Sequence, residues 1–286
     1  IPPPAPKPEE SAMHKLSFGN VAKWIVLIVF ALWTIVPIAL VVLNSFKRAK
    51  DIFTSAPTLI FNPVLDNYVN AFTKANFGSY YLNSLIVGIV STVLVIVIGT
   101  FAAYALTSFK LPGANTIAGA FLVGKLVPTV SMLLPLFVII NGIGLRGTLG
   151  GPIIAHTALN LPFVVWLMMG FVRDVPRDLL QAAMIDGCSR MQAFWKVLFP
   201  VILPGIAAAF VLSMQYSWNE LMFSLQLTTL GTYTLPVGIA GFVGSISVDW
   251  GLSSAAATAT MVPLIILGFF VQRHIAAGTT GGAVKG

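Results

Sequence analysis

Apolar residues run along this chain in six long stretches. Each is close to the roughly 20 residues that a helix needs to cross a bilayer. The stretches cover about Ala22–Leu43, Leu82–Leu106, Ile117–Ile140, Pro152–Val172, Val201–Leu225 and Ser254–Val271. The pattern predicts an all-α integral membrane protein with six spanning helices. Pro128 and Pro135 fall inside the third stretch, where they allow kinks if packing absorbs the freed backbone groups. The polar segments between spans are unequal. Asn44–Tyr81 is 38 residues long, with Pro57, Pro63 and several aromatics, whereas spans two and three are joined by a short turn around Lys110-Leu111-Pro112-Gly113. Arg173–Pro200 has 28 residues and a dense share of the charge. Ile1–Glu10 is Pro-rich, charged and without an apolar run, which predicts an extended or disordered tail. The first span lacks a small-residue cleavage site and is followed by Asn44 and Ser45, so it reads as a retained helix rather than a signal peptide.

Composition turns this pattern into a membrane assignment. The chain of 286 residues is 57% hydrophobic and 9% charged, against about 45–50% and 25% in soluble proteins. The apolar excess must face lipid, and a soluble enzyme is excluded. Orientation follows the Lys/Arg bias. With the N-terminus inside, Lys7, Lys15, Lys23, Lys110, Arg173, Arg177, Arg190, Lys196, Arg273 and Lys285 are cytoplasmic. Outside lie Lys47, Arg48, Lys50, Lys74 and Arg146, so the bias supports both termini in the cytoplasm. The division is then a cytoplasmic tail at 1–21, a first span with its outer loop at 22–81, and a core at 82–272 carrying a loop at 173–200. A cytoplasmic tail at 273–286 completes it. The net charge of +7 fits such loops, and no basic stretch is interleaved with stacking aromatics, which argues against nucleic acid. The single cysteine, Cys188, excludes an internal disulfide, and His14, His156 and His274 are too scattered for a zinc site.

The long inner loop has the grammar of two helices. Pro176 suits a first turn, Asp178 complements the dipole there, and Gly187 fits a left-handed stop. Leu179, Ala182, Ala183 and Asp186 recur at helical spacing, giving an apolar face with a small-residue floor at Ala182 and Ala183. Ser189-Arg190-Met191-Gln192 reads as a capping box opening a second helix, which Pro200 ends. The residues alone allow either a docking surface for another protein or an amphipathic segment lying on headgroups.

A resemblance separates these alternatives. Gln181-Ala182-Ala183, three residues, Gly187, nine residues and Val197-Leu198-Phe199-Pro200 closely resemble the EAA loop of ABC-transporter importer permeases, best in the maltose-type carbohydrate branch. Pro176-Arg177-Asp178-Leu179, Ser108-Phe109-Lys110-Leu111-Pro112-Gly113, Ser217-Trp218-Asn219-Glu220 and Tyr233-Thr234-Leu235-Pro236-Val237-Gly238 resemble further motifs of that branch, in order. The tail Gln272-Arg273-His274-Ile275 to Gly286 does so too. The resemblance implies a type I importer permease of the bacterial inner membrane, paired with a second homologous permease. Two ATPase subunits would hold ATP and Mg, and a solute-binding protein would deliver a carbohydrate. It also implies a coupling helix, with Arg177, Gln181, Ala182, Ala183, Asp186, Gly187, Phe194 and Pro200 as the ATPase-coupling set. Gly241, Phe242 and Ser245 would meet the binding protein, and the C-terminal tail would insert between the ATPase subunits. One position departs: the family's usual glutamate is Gln181 here, which keeps the shape and forfeits the charge-assisted bond.

Few residues carry chemistry of their own. Lys125 lies within the third span, facing either a substrate pathway or, by snorkelling, the headgroups. Together with Lys47, Arg48 and Lys50 at the outer entrance, it would favour an acidic sugar such as a uronic-acid oligomer. Asn219 and Glu220 in span five read as pathway contacts or as a packing hydrogen bond. His156 reads as a neutral packing histidine. No Walker-type loop occurs, so no ATP or other cofactor is expected on this chain. An ion-coupled secondary transporter would need more acids in the spans than Glu220. A membrane enzyme would need clustered acids or histidines.

Overall fold

The computed structural model describes residues 18–54, 58–74, 76–109, 111–241 and 249–280. In lipid every backbone N–H and C=O must be satisfied within its own segment, so long apolar runs become long helices. Among the described residues, five helices are long and apolar enough to cross a membrane: α1 (Phe18–Ser45), α4 (Phe77–Ser108), α7 (Gly150–Arg173), the helix that runs from Arg190 to Asn219, and α13 (Trp250–Thr280). Short helices α2 (Ala49–Ile52) and α3 (Asp66–Lys74) lie in the first outer loop.

The third predicted span is not one helix. α5 (Ala114–Leu126) and a segment made of a 3₁₀ turn (Thr129–Met132) and α6 (Leu133–Gly142) meet at 101°. Pro128 is the cause. It supplies no N–H and drives Val127 out of the helical region, to φ −65° and ψ 127°. Counting the bent pair as one broken span gives six.

The core lies between α4, α7 and the Arg190–Asn219 helix. Val95, Tyr104, Val164, Met168, Phe194 and Leu198 form its largest cluster. At Gly99 a Cβ would sit 2.8 Å from Val164 Cγ1, so glycine lets α4 and α7 approach closely. A second cluster, containing Phe77, Tyr80, Trp218, Leu235 and Ala256, joins α4 to α13. There Trp218 Nε1 donates to the Thr260 carbonyl at 3.2 Å. α1 stands outside the core and packs chiefly along α13. Its Trp33 is 81% exposed, a surface for lipid or another subunit.

The outer loop corrects one expectation. Asn67 Nδ2 donates to the carbonyls of Ser45 and Lys47, folding the loop back on the end of α1. Lys47 is thereby buried, at 2% exposure, with Nζ donating to Asn44 Oδ1 at 3.0 Å and lying 5.2 Å from the Phe61 ring centre. An amide and an aromatic face hold its charge, so it does not join Arg48 and Lys50 in an exposed basic row. At the other end, α13 stays helical to Thr280, past the expected start of the tail at 273.

Candidate functional site

The inner loop folds as α8 (Arg177–Ile185) and α9 (Arg190–Ala193). Pro176 is the residue before the first helical position. Gly187, at φ +89°, terminates α8. Its N–H donates to the Met184 carbonyl, and the Cys188 N–H donates to that of Ala183, the paired closure of a Schellman motif. Ser189 then opens α9 with a full capping box. The Ser189 N–H donates to Gln192 Oε1 at 2.8 Å, and the Gln192 N–H donates to Ser189 Oγ at 3.3 Å.

The second loop helix does not stop at Pro200, as the sequence suggests. α9 continues through a π-helical turn (Phe194–Leu198) into α10 (Phe199–Asn219), giving one helix of 30 residues. Pro200 has no N–H and its ring crowds the carbonyl four residues back. The wider turn, closed by the Phe199 N–H on the Phe194 carbonyl, accommodates it without ending the helix.

Burial separates the residues expected to couple into two groups. Arg177, Gln181, Ala182, Asp186 and Gly187 are exposed, as is Pro200 in the first turn of α10. Leu179 and Ile185 are exposed too, Ile185 at 86%. Ala183, by contrast, is buried at 9% and turned towards the bundle, on the same face as Leu180. The expected floor of two alanines is therefore one alanine, Ala182, because the 100° step between neighbours turns the other inward. Phe194 is buried as well. Its ring stacks on Phe101 at 5.0 Å and meets Tyr104 at 5.1 Å, so it anchors the loop to α4 instead of reaching outward.

A second polar group lies deeper. Glu220 was expected inside span five, but α10 ends at Asn219 and the chain turns there into α11 (Met222–Leu227). Glu220 caps the new helix, its carboxylate accepting from the N–H groups of Phe223 (2.8 Å) and Ser224 (3.0 Å). His156 Nε2 lies 3.1 Å from the same carboxylate, and His156 Nδ1 lies 2.6 Å from Ser217 Oγ. The sequence reads Glu220 as a pathway contact or a packing hydrogen bond and His156 as a separate packing residue, whereas the structure makes them a buried pair. One signal for it is legible: they are the acid and the histidine of the predicted spans, and a buried acid needs a partner. Asn219 stays exposed, with Nδ2 donating to the Gln215 carbonyl. Lys125 is exposed on α5 but held over the rings of Phe163 and Tyr216, at 5.6 and 5.7 Å. The Tyr216 ring is in turn edge-on to His156.

The last outer loop begins tucked in. Asn83 Nδ2 donates to the carbonyls of Gly231 and Tyr233, and the Leu235 N–H donates to Ser84 Oγ. These bonds seat α12 (Leu235–Gly241) against α4, with Gly241 exposed at its end. Phe242 and Ser245 lie outside the described residues.

Comparison with known proteins agrees with this arrangement. The family model for the binding-protein-dependent transport system inner membrane component matches residues 95–281. The trehalose transport system permease protein SugB of Mycobacterium tuberculosis is 39% identical over 224 residues, which is 77% of this chain and 82% of that protein. The diacetylchitobiose uptake system permease protein NgcG of Streptomyces coelicolor is 34% identical over 262 residues, 91% of this chain and 87% of that protein. In fold, the chain is similar to a bacterial ABC transporter involved in the import of the acidic polysaccharide alginate. The TM-score is 0.80 at 19% identity, over 89% of this chain and 95% of that one. Such proteins are multi-pass inner-membrane permeases rather than enzymes, and partner ATPases use the ATP. The chain belongs to the family of binding-protein-dependent inner-membrane components, as a carbohydrate-type ABC importer permease.

Proposed function

We propose that this chain is one of two related permease subunits that enclose a single pathway, with two ATPase subunits below and a solute-binding protein above. Both termini are cytoplasmic, and the chain divides at 1–21, 22–81, 82–272 and 273–286. The observation that carries the reading is α8. It presents Leu179, Ala182, Ile185 and Asp186 outward while Ala183 and the Phe194 anchor fix its back to the bundle. Such a helix is a short apolar rib that another protein's cleft can grip, rigidly joined to span five. ATP-driven closure of the ATPase pair moves α8, which opens the cavity to the binding protein, and hydrolysis resets it inward. Gly241, Phe242 and Ser245 lie in the loop that meets the binding protein.

The substrate is an oligosaccharide, a class supported by relatives named for trehalose and diacetylchitobiose. An anionic sugar now rests on Lys125 rather than on the outer entrance, since Lys47 is buried. Lys125 is held on the Tyr216 side of α5, beside the polar group of α10, which supports a pathway position over snorkelling. The deciding experiment is uptake into proteoliposomes holding the permease pair, the ATPase and the binding protein. Uptake requires ATP and the binding protein together. Accumulation driven by an ion gradient without ATP would overturn the reading. Lys125→Met is expected to impair import of a uronic-acid oligomer far more than basal ATP hydrolysis, and unchanged import of that sugar would remove the anionic assignment.

A further inference from the structure

A partly open cavity of about 290 Å³ lies behind the coupling helix. That is close to the lower end of the ~300–1,000 Å³ range of small-molecule sites. Tyr104 and Phe109 wall it from the end of α4, Arg173 from the end of α7, Arg177 and Gln181 from α8, and Arg190 from α9. No Asp or Glu is among its described lining residues. Among the described residues, no carboxylate lies within 4.0 Å of the three guanidinium groups. One wall is built in advance. The Arg190 guanidinium lies 4.9 Å from the Phe109 ring centre, and the Tyr104 hydroxyl donates to the Arg190 carbonyl at 3.3 Å. Gln181 deepens the imbalance. It stands where the resembled loop has a glutamate, so the acid that would face these arginines is missing from the wall.

Three planar guanidinium forks without an acid suit a phosphate group, which can accept paired hydrogen bonds from a guanidinium. The cavity sits at the inner ends of two spans, the depth of the headgroup layer, and basic pockets between spans on the cytoplasmic side take anionic headgroups. We propose that it binds a phosphate-bearing anion, supplied by an anionic phospholipid of the inner leaflet. The inference rests on the cytoplasmic orientation and coupling role proposed above. A headgroup there bridges α7, α8 and α9, so it ties the coupling helix to its own bundle and makes coupling depend on lipid charge.

The test uses the assembled importer in nanodiscs of phosphatidylcholine, with or without phosphatidylglycerol, read by native mass spectrometry and by substrate-stimulated ATP hydrolysis. Wild type is expected to retain phosphatidylglycerol and to hydrolyse faster in its presence. In the Arg173→Gln/Arg190→Gln double variant retention falls about thirtyfold, as when two basic side chains leave a headgroup site. Arg190→Lys keeps most of the retention, and Gln181→Glu, which returns an acid to the wall, lowers it. Equal retention in wild type and the double variant, with the complex assembled in both, would overturn the site and assign the arginines to acidic groups of the ATPase. Inorganic phosphate that reproduces the stimulation in pure phosphatidylcholine would overturn the lipid as its source. Uptake is measured on the same wild-type preparations. Its absence in every lipid counts against the coupling role alone, because lipid retention still reads the cavity.

Discussion

Glu220 sits at the seam between α10 and α11, and its carboxylate serves both. It receives two backbone N–H groups of the second helix and lies beside His156 of α7. Removing a buried hydrogen-bonding partner costs about 1–3 kcal/mol. Glu220→Ala should therefore lower the melting temperature of the purified complex and impair uptake, while Asn219→Ala, whose amide is exposed, leaves melting nearly unchanged. Equal melting of the two variants would show that the pair has no structural weight. On the coupling helix, Ala182 and Ala183 separate in the same way. Ala182→Arg should abolish ATP-dependent uptake in a complex whose permease subunits remain folded. Ala183→Arg pushes a charge against the bundle and should reduce the folded yield itself, by fluorescence-detected gel filtration. None of this inward or outward sense is legible from adjacent alanines, because it depends on which face the bundle takes. The Glu220–His156 contact likewise joins residues 64 positions apart.

At the scale of elements, the local signals were legible and the tertiary ones were not. Gly187 as a stop and Ser189 with Gln192 as a capping box appear as read, because each is decided within a few residues. Most of the long apolar runs also become single helices, the third being broken. The kink that Pro128 allows is a full break of 101°, whereas the π turn before Pro200 and the burial of Lys47 were missed. A proline's effect depends on what can take up its freed carbonyls, and a lysine's exposure depends on a loop folding back. Close packing yields a further expectation. Gly99→Leu forces a side chain into Val164, where a Cβ alone would already lie at 2.8 Å. Overpacking costs about 1–3 kcal/mol, and α4 and α7 should splay, seen as faster proteolysis of the purified subunit. Phe194→Ala removes the anchor under the coupling loop, at about 3–5 kcal/mol for a buried Phe. The complex should then hydrolyse ATP without importing sugar. Fully coupled transport in that variant would show that the loop is held by other contacts.

For the whole molecule, membrane placement was legible in composition, and carbohydrate import in the ordered motifs. The sequence could not locate the pathway, which on the proposed reading is enclosed by two permease subunits together. One feature of the single chain does reach across that distance. The Arg190–Asn219 helix spans 30 residues, which at 1.5 Å per residue is about 45 Å, more than the ~30 Å hydrocarbon thickness. It is gripped near its Arg190 end by the stacked Phe194 and ends abruptly at the turn held by Glu220. A rod with a fulcrum near one end is a lever. A small tilt imposed at Arg190 becomes a larger sweep at Asn219, with no hydrogen bond along its length having to break. Spin labels at Met191 and Gln215 would read this directly. A lever requires the outer label to travel farther than the inner one during turnover, and equal or smaller outer travel would mean that the π turn bends and absorbs the stroke.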